Sequence, residues 1–114
     1  MEEARRHLES ERVRVAAQAA ELAEELAAVV SASEGVALDD EHDPDGSTVG
    51  FERARVAALL ERARSRLAAF DEALARLDAG TYGVCSSCGV PIPAERLAVL
   101  PDAVSCTSCA ARRS

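Results

Sequence analysis

The sequence predicts a mainly α-helical fold, in which two long helices form an antiparallel coiled-coil hairpin and a small module follows at the C-terminus. Residues 2–33 and 48–78 both place apolar side chains every seven positions, the pattern of a coiled-coil seam. The 114 residues include only two Phe, one Tyr and no Trp, and such a composition cannot fill a large globular core. Alanine is abundant instead, and its high helix propensity favours closely packed helices. We therefore assign residues 1–79 to the hairpin and residues 80–114 to the C-terminal module.

Each predicted helix carries two interleaved series of seam residues. In the first helix these are Leu8, Val15, Leu22 and Val29, with Ala19 and Leu26 between them and Arg12 as a polar exception. In the second they are Val49, Val56, Ala63, Phe70 and Leu77, with Leu60, Leu67 and Leu74 between them and Arg53 as a polar exception. A glycine just past a helix commonly ends it, so we expect stops at Gly35 and Gly80. Two helices of matched length with a short connection predict an antiparallel pair.

The connection between the helices, residues 34–47, is strongly acidic, and we name it the acidic tip loop. Its carboxylates belong to Glu34, Asp39, Asp40, Glu41, Asp43 and Asp45. The segment Asp43-Pro44-Asp45-Gly46 fits a type I turn. Charge runs of this kind often serve only solubility. Alternatively, a rigid hairpin that ends in carboxylates suits a basic pore or a bound metal ion, and Asp43 and Asp45 are then the candidate contact residues.

The charge of the chain argues against several classes of function. The net charge is −7, all 13 basic residues are Arg, and no basic residue occurs between positions 15 and 52. Phosphate backbones repel such a chain, so direct DNA binding is not expected. No apolar run approaches the roughly 20 residues that span a membrane, and the N-terminal sequence is polar. We therefore expect a cytoplasmic protein without a membrane partner.

The C-terminal module carries four cysteines in a metal-binding pattern. Cys85-x-x-Cys88 is followed, after 17 residues, by Cys106-x-x-Cys109, a spacing typical of tetrahedral structural zinc. Four thiolates leave no position open for water, so the pattern predicts one structural Zn²⁺ and not an enzyme. Gly89 allows the first knuckle to turn tightly. Two dithiols or disulfides are the alternative, but a thioredoxin-like motif is disfavoured because no βαβ pattern surrounds either pair.

Several segments around these cysteines resemble the DksA/TraR family. They are Gly80-Thr81-Tyr82-Gly83-Val84-Cys85-Ser86-Ser87-Cys88-Gly89, Ile92-Pro93-Ala94-Glu95-Arg96-Leu97, Pro101, and Cys106-Thr107-Ser108-Cys109. The preceding residues 71–77 are similar to the helix that leads into the finger of that family. The resemblance implies a C4-type zinc finger at the base of the hairpin. It also implies a non-enzymatic transcription regulator that binds bacterial RNA polymerase, inserts its tip into the secondary channel towards the catalytic magnesium, and does not bind DNA.

The sequence departs from that family at three places. Well-studied members carry Asp-x-x-Asp-x-Ala at the tip, whereas the alignment here starts at Asp43 and places Gly46 and Thr48 at the other two positions, so that Asp45 is displaced by one residue. Members that respond to ppGpp have basic residues where this chain has Leu100 and Ala110, so no ppGpp response is expected. Compared with that family, we expect the C-terminal helix after the finger to be nearly absent.

Two other functions remain compatible with the residues alone. The chain could be a zinc-stabilised coiled-coil interaction module for a partner other than the polymerase. It could also be a redox-responsive zinc protein whose cysteines release the metal on oxidation. Co-purification of polymerase subunits distinguishes the first from a polymerase regulator, and zinc release by mild peroxide tests the second.

Overall fold

The structure, a computed structural model, describes the backbone of residues 2–36 and 44–113 and the side chains of residues 2–32 and 48–112. It contains two long helices, α1 (Glu2–Val36) and α2 (Pro44–Ala79), and two short ones, α3 (Ala94–Val99) and α4 (Thr107–Arg113). The β-type pairing in these ranges is an isolated antiparallel bridge between Val84 and Pro91. The predicted mainly α fold with two long helices is confirmed. Neither long helix contains, in its described residues, a stretch apolar enough to cross a membrane.

The two long helices extend further than the sequence predicted. Both include residues that we had assigned to the acidic tip loop, residues 34–47. α1 continues through Gly35 to Val36, and α2 begins at Pro44. Proline suits the first position of a helix, and the central residues of a type I turn already have helical dihedral angles. Residues 44–47 therefore form the first turn of α2 instead of a separate turn. Asp43 lies outside the described residues, as does the side chain of Asp45.

The end of α2 follows the prediction. Gly80 has a φ of +78°, its N–H donates to the Leu77 carbonyl at 3.2 Å, and the Thr81 N–H donates to the Arg76 carbonyl at 2.9 Å. These two bonds form a Schellman motif, which requires a left-handed residue at the position of Gly80. The helix is thus closed at a fixed residue, and the C-terminal module starts immediately after it.

The chain divides into two compact units. The terminal unit consists of Met1–Val13 with Leu67–Ser114, and the central unit of Arg14–Arg66. In the terminal unit, Arg5 pairs with Asp78 at 2.6 Å and Arg12 with Asp71 at 2.6 Å. Because the α2 partner falls in number as the α1 residue rises, the two helix segments of this unit are antiparallel. The pairing also explains why the seam accepts Arg12.

Burial follows the predicted seams in both units. In the terminal unit the buried seam residues are Leu8, Phe70 and Leu77, and in the central unit they are Val15, Ala19, Val56, Leu60 and Ala63. The other predicted seam positions are half-buried: Leu22, Leu26, Val29, Val49, Leu67 and Leu74. Ala73 of the terminal unit is also buried, and the predicted seams did not include it. In the central unit, Arg55 pairs with Glu25 across the helices at 3.6 Å.

Candidate metal centre

The first cysteine pair lies in a tight knuckle that the backbone closes on itself. The Cys85 N–H donates to the Val90 carbonyl at 2.8 Å, and the Gly89 N–H donates to the Cys85 carbonyl at 2.9 Å. Gly89 has a φ of +78°, a conformation that costs residues with a Cβ about 1–2 kcal/mol. The predicted role of this glycine is confirmed, since it turns the chain directly after Cys88.

The second pair is presented by the start of α4. Cys106 immediately precedes the helix and Cys109 lies in its first turn, and the Ala110 N–H donates to the Cys106 carbonyl at 3.0 Å. The Ser86 N–H donates to the Val104 carbonyl at 2.8 Å, which fastens the first knuckle to the chain leading into the second. These bonds bring together two pairs that are separated by 17 intervening residues in the sequence.

The four sulfur atoms are arranged to bind one metal ion. The Sγ atoms of Cys85, Cys88, Cys106 and Cys109 all lie within 4.8 Å of one another. The Sγ atoms of Cys88 and Cys106 are 3.7 Å apart, close to the roughly 3.8 Å between ligands of a tetrahedral site with Zn–S bonds of about 2.3 Å. All four are free thiols, and this separation is far from a disulfide bond of about 2.05 Å. The set fits Zn²⁺ in both chemistry and size.

The backbone around the sulfurs already favours negative charge at some of them. N–H groups of Cys106 and Cys88 lower the pKa of the Cys85 thiol to about 5. The Cys109 N–H likewise lowers the pKa of Cys106. Hydrogen bonding to the other sulfurs, first of all to Cys106, raises the pKa of Cys109 to about 12. Cys109 is thus the thiol that keeps its proton. Binding of a metal ion would displace that proton.

The metal centre is joined to the rest of the terminal unit by side chains that bind backbone carbonyls. Tyr82 Oη donates to the Pro101 carbonyl at 2.8 Å, and Arg96 Nε donates to the Ser105 carbonyl at 3.0 Å, next to Cys106. From α2, Arg76 Nη2 donates to the Val84 carbonyl at 3.2 Å, next to Cys85. Arg76 and Arg96 both lie in segments that resemble the family, but neither contact was predictable from the spacing of the residues.

A second layer of apolar residues supports the knuckles. Ile92 is buried together with Cys85, Cys106 and Cys109, and Leu97 of α3 packs against them. Cys88, in contrast, is exposed. This apolar cluster is very small, so the sulfurs and what they bind make up most of the interior of the module.

Comparison with known proteins identifies this module. The model of the prokaryotic DksA/TraR C4-type zinc finger matches residues 80–114. Residues 80–114 form a DksA/TraR-type zinc finger. The resemblance drawn from the cysteine, glycine, tyrosine and arginine positions is therefore confirmed, and the four cysteines that the structure brings together are those of the C4 pattern.

The long helices share the fold of a solved DksA protein. The structure of the transcription factor DksA2 from Pseudomonas aeruginosa superimposes with a TM-score of 0.79 at 28% identity, covering 98% of this chain and 81% of that one. An uncharacterized protein of Bacillus subtilis, YteA, is 38% identical over 66 residues, and an uncharacterized protein of Aquifex aeolicus is 45% identical over 40 residues. The matched segment spans 28% of the length of each of these two relatives.

Tyr82 provides a first prediction for the finger. Burial raises its pKa above the ordinary value, with nearby Arg76 acting in the opposite direction. Because the folded pKa is raised, the phenol keeps its proton longer in the folded protein, and folding stability falls as the pH rises above about 10. Tyr82 is the single tyrosine of the chain, so alkaline titration at 295 nm observes it alone. We expect the midpoint to lie higher in the folded than in the urea-unfolded protein, and equal midpoints would contradict the burial.

Proposed function

We propose that this protein is a zinc-containing transcription regulator that binds bacterial RNA polymerase through the secondary channel and does not bind DNA. The observation that carries the proposal is the likeness to the transcription factor DksA2, which extends over 98% of the chain and includes the DksA/TraR-type finger. The net charge of −7 supports a protein partner over DNA, because each phosphate contact needs a cation to neutralise it.

Zinc would have a structural role in this regulator. Cys85, Cys88, Cys106 and Cys109 would hold it, and a zinc ion with four thiolate ligands joins two knuckles and stabilises the folded module without an open position for a substrate. The side chains of Arg76, Tyr82 and Arg96 would then hold the loaded finger in place through the carbonyls of Val84, Pro101 and Ser105.

A pull-down with purified bacterial RNA polymerase tests the proposed function. The tagged, zinc-loaded protein should retain the polymerase, and another factor that occupies the secondary channel should displace it. Retention that such a factor does not affect would indicate a different site on the polymerase. Absence of retention, together with capture of some other protein from the cell extract, would favour an interaction module with a non-polymerase partner.

We further propose that Asp43 and Asp45 act inside the channel, where a carboxylate can perturb the ligands of the catalytic magnesium or the mobile elements around it. The double change Asp43→Asn with Asp45→Asn preserves size and removes two charges. We expect it to abolish the effect on transcription in vitro while polymerase affinity stays within about threefold, since steering by net charge is a weaker, salt-screened effect.

The change Asp39→Asn with Asp40→Asn is the matched control, because it removes the same charge from the same connection. It should leave the transcription effect in place. If both double variants lose affinity equally, and adding salt abolishes the difference from the native protein, the connection is only an electrostatic guide and the local role of Asp43 and Asp45 is wrong.

A further inference from the structure

The central unit exposes an aromatic side chain that its packing does not use. Phe51, on α2, is 80% exposed, whereas Phe70 on the same helix is 0% exposed. The chain has only three aromatic residues. A Phe side chain left in water forgoes the free energy of apolar burial, so this position is costly unless another surface covers it.

The surroundings of Phe51 form a mixed apolar and basic surface. Arg55 and Arg62 follow it at i+4 and i+11, which places all three residues on one face of α2. Thr48, Phe51, Glu52 and Arg55 line a shallow cavity of about 380 Å³. We call the face made by Phe51, Arg55 and Arg62 the Phe51 surface.

The two arginines differ in their pairing. Arg55 is paired with Glu52 at 2.8 Å and with Glu25 at 3.6 Å, so its charge is already partnered within the chain. Arg62 is exposed and forms no ion pair with any residue that the structure describes. Its planar guanidinium is suited to bind a carboxylate of a partner protein in a bidentate geometry.

This combination is typical of a protein-binding surface. Aromatic residues and arginine are enriched at the centres of interfaces, where one apolar anchor and a few charge-assisted bonds supply most of the affinity. An aromatic ring beside arginines can also stack on a nucleotide base. The charge here disfavours that alternative, because no basic residue lies between positions 15 and 52 and the chain carries −7 in total.

We propose that the Phe51 surface is a docking site for a protein surface that presents an apolar side chain next to a carboxylate. The apolar side chain covers the Phe51 ring and fills the cavity beside Thr48, while the carboxylate pairs with Arg62. The proposal rests on the proposed function, in that the polymerase is the partner expected to supply this surface, and it assigns binding affinity to α2 separately from the role of Asp43 and Asp45.

The test compares polymerase affinities of the zinc-loaded native protein and three variants by fluorescence anisotropy. Phe51→Ala should weaken binding on the order of thirtyfold, as truncation of an interface anchor does, and Arg62→Gln by several-fold. Val13→Ala is the matched control, because Val13 is also a large apolar residue, 68% exposed, but lies on α1 in the other unit. It should bind like the native protein. Far-UV circular dichroism should show equal melting of all four proteins.

Each result of these measurements either supports or overturns the docking site at the Phe51 surface. Native binding with an unchanged affinity of Phe51→Ala overturns the docking site and leaves the proposed function intact. Failure of the native protein to bind overturns both. Loss of affinity of Phe51→Ala for a single-stranded RNA oligonucleotide, with polymerase binding unchanged, would reassign the surface to nucleic acid. A native dimer in sedimentation equilibrium that Phe51→Ala converts to a monomer would reassign it to self-association.

Discussion

Removal of zinc is expected to unfold the finger while the two long helices keep most of their helicity. The apolar cluster of the finger consists of Ile92 and Leu97 beside three cysteines, and such a cluster cannot offset the conformational entropy of more than 30 residues. Structural zinc supplies folding free energy on the order of 10 kcal/mol in small modules. Without it, four sulfurs within 4.8 Å of one another lose the interaction that holds both knuckles.

The unfolding can be followed at a single residue. Tyr82 is the only tyrosine and the chain has no tryptophan, so the tyrosine signals in near-UV circular dichroism and fluorescence report on the finger alone. Chelation should remove the Tyr82 signal and expose the Cys85 and Ile92 amides, now bonded to the Val90 and Gly83 carbonyls, to hydrogen exchange. The signal at 222 nm should fall much less. Acidification should have the same effect, because protons compete with the metal for the thiolates.

A pair of substitutions separates the role of the metal from that of the surrounding chain. Cys88→Ser removes one sulfur at an exposed position, and it should reduce the zinc content and the Tyr82 signal together. Ser108→Ala, between the second pair of cysteines and also exposed, should retain one zinc per chain. A finger whose amides stay protected after complete chelation would show that the metal does not stabilise it.

The features that could be predicted from the sequence are those that depend on spacing alone. A seven-residue period places Leu8, Val56 and Phe70 in the core whatever the rest of the fold is, and two C-x-x-C pairs at this spacing are typical of a single metal site. The Schellman end of α2 was likewise predictable, because Gly80 is the residue that tolerates the required backbone angle.

The features that were missed depend on which residues meet in space. The Arg76 contact with the Val84 carbonyl needs the finger to fold back on α2, and nothing in the spacing of these two residues encodes that. The burial of Ala73, off the regular seam, depends on packing within the terminal unit. The limits of the tip loop were wrong because Pro44 and Gly46 are compatible with both a turn and a helix start, and local sequence does not choose between them.

Phe70→Ala is expected to be the most destabilising single change in the helices. The Phe70 side chain is completely buried in the terminal unit, where Leu8, Ala73 and Leu77 are buried as well. Truncation of a buried phenylalanine removes its transfer free energy and leaves a cavity, which together cost about 3–5 kcal/mol. An alanine-rich seam has few large side chains that could move in to fill the space, so we expect the upper part of this range and a fall in Tm of ten degrees or more.

The chain contains its own control for this result. Phe51→Ala makes the same chemical change on the same helix, but at a side chain that is 80% exposed, so it should change the free energy of unfolding by no more than about 0.5 kcal/mol. Urea titrations of both variants, followed at 222 nm with zinc present throughout, measure the difference directly. Phe70→Leu should recover part of the loss, because it refills most of the cavity with apolar atoms. Equal, small effects of the two alanine substitutions would mean that Phe70 is not in the core, and the heptad assignment of α2 would then fail at its largest residue.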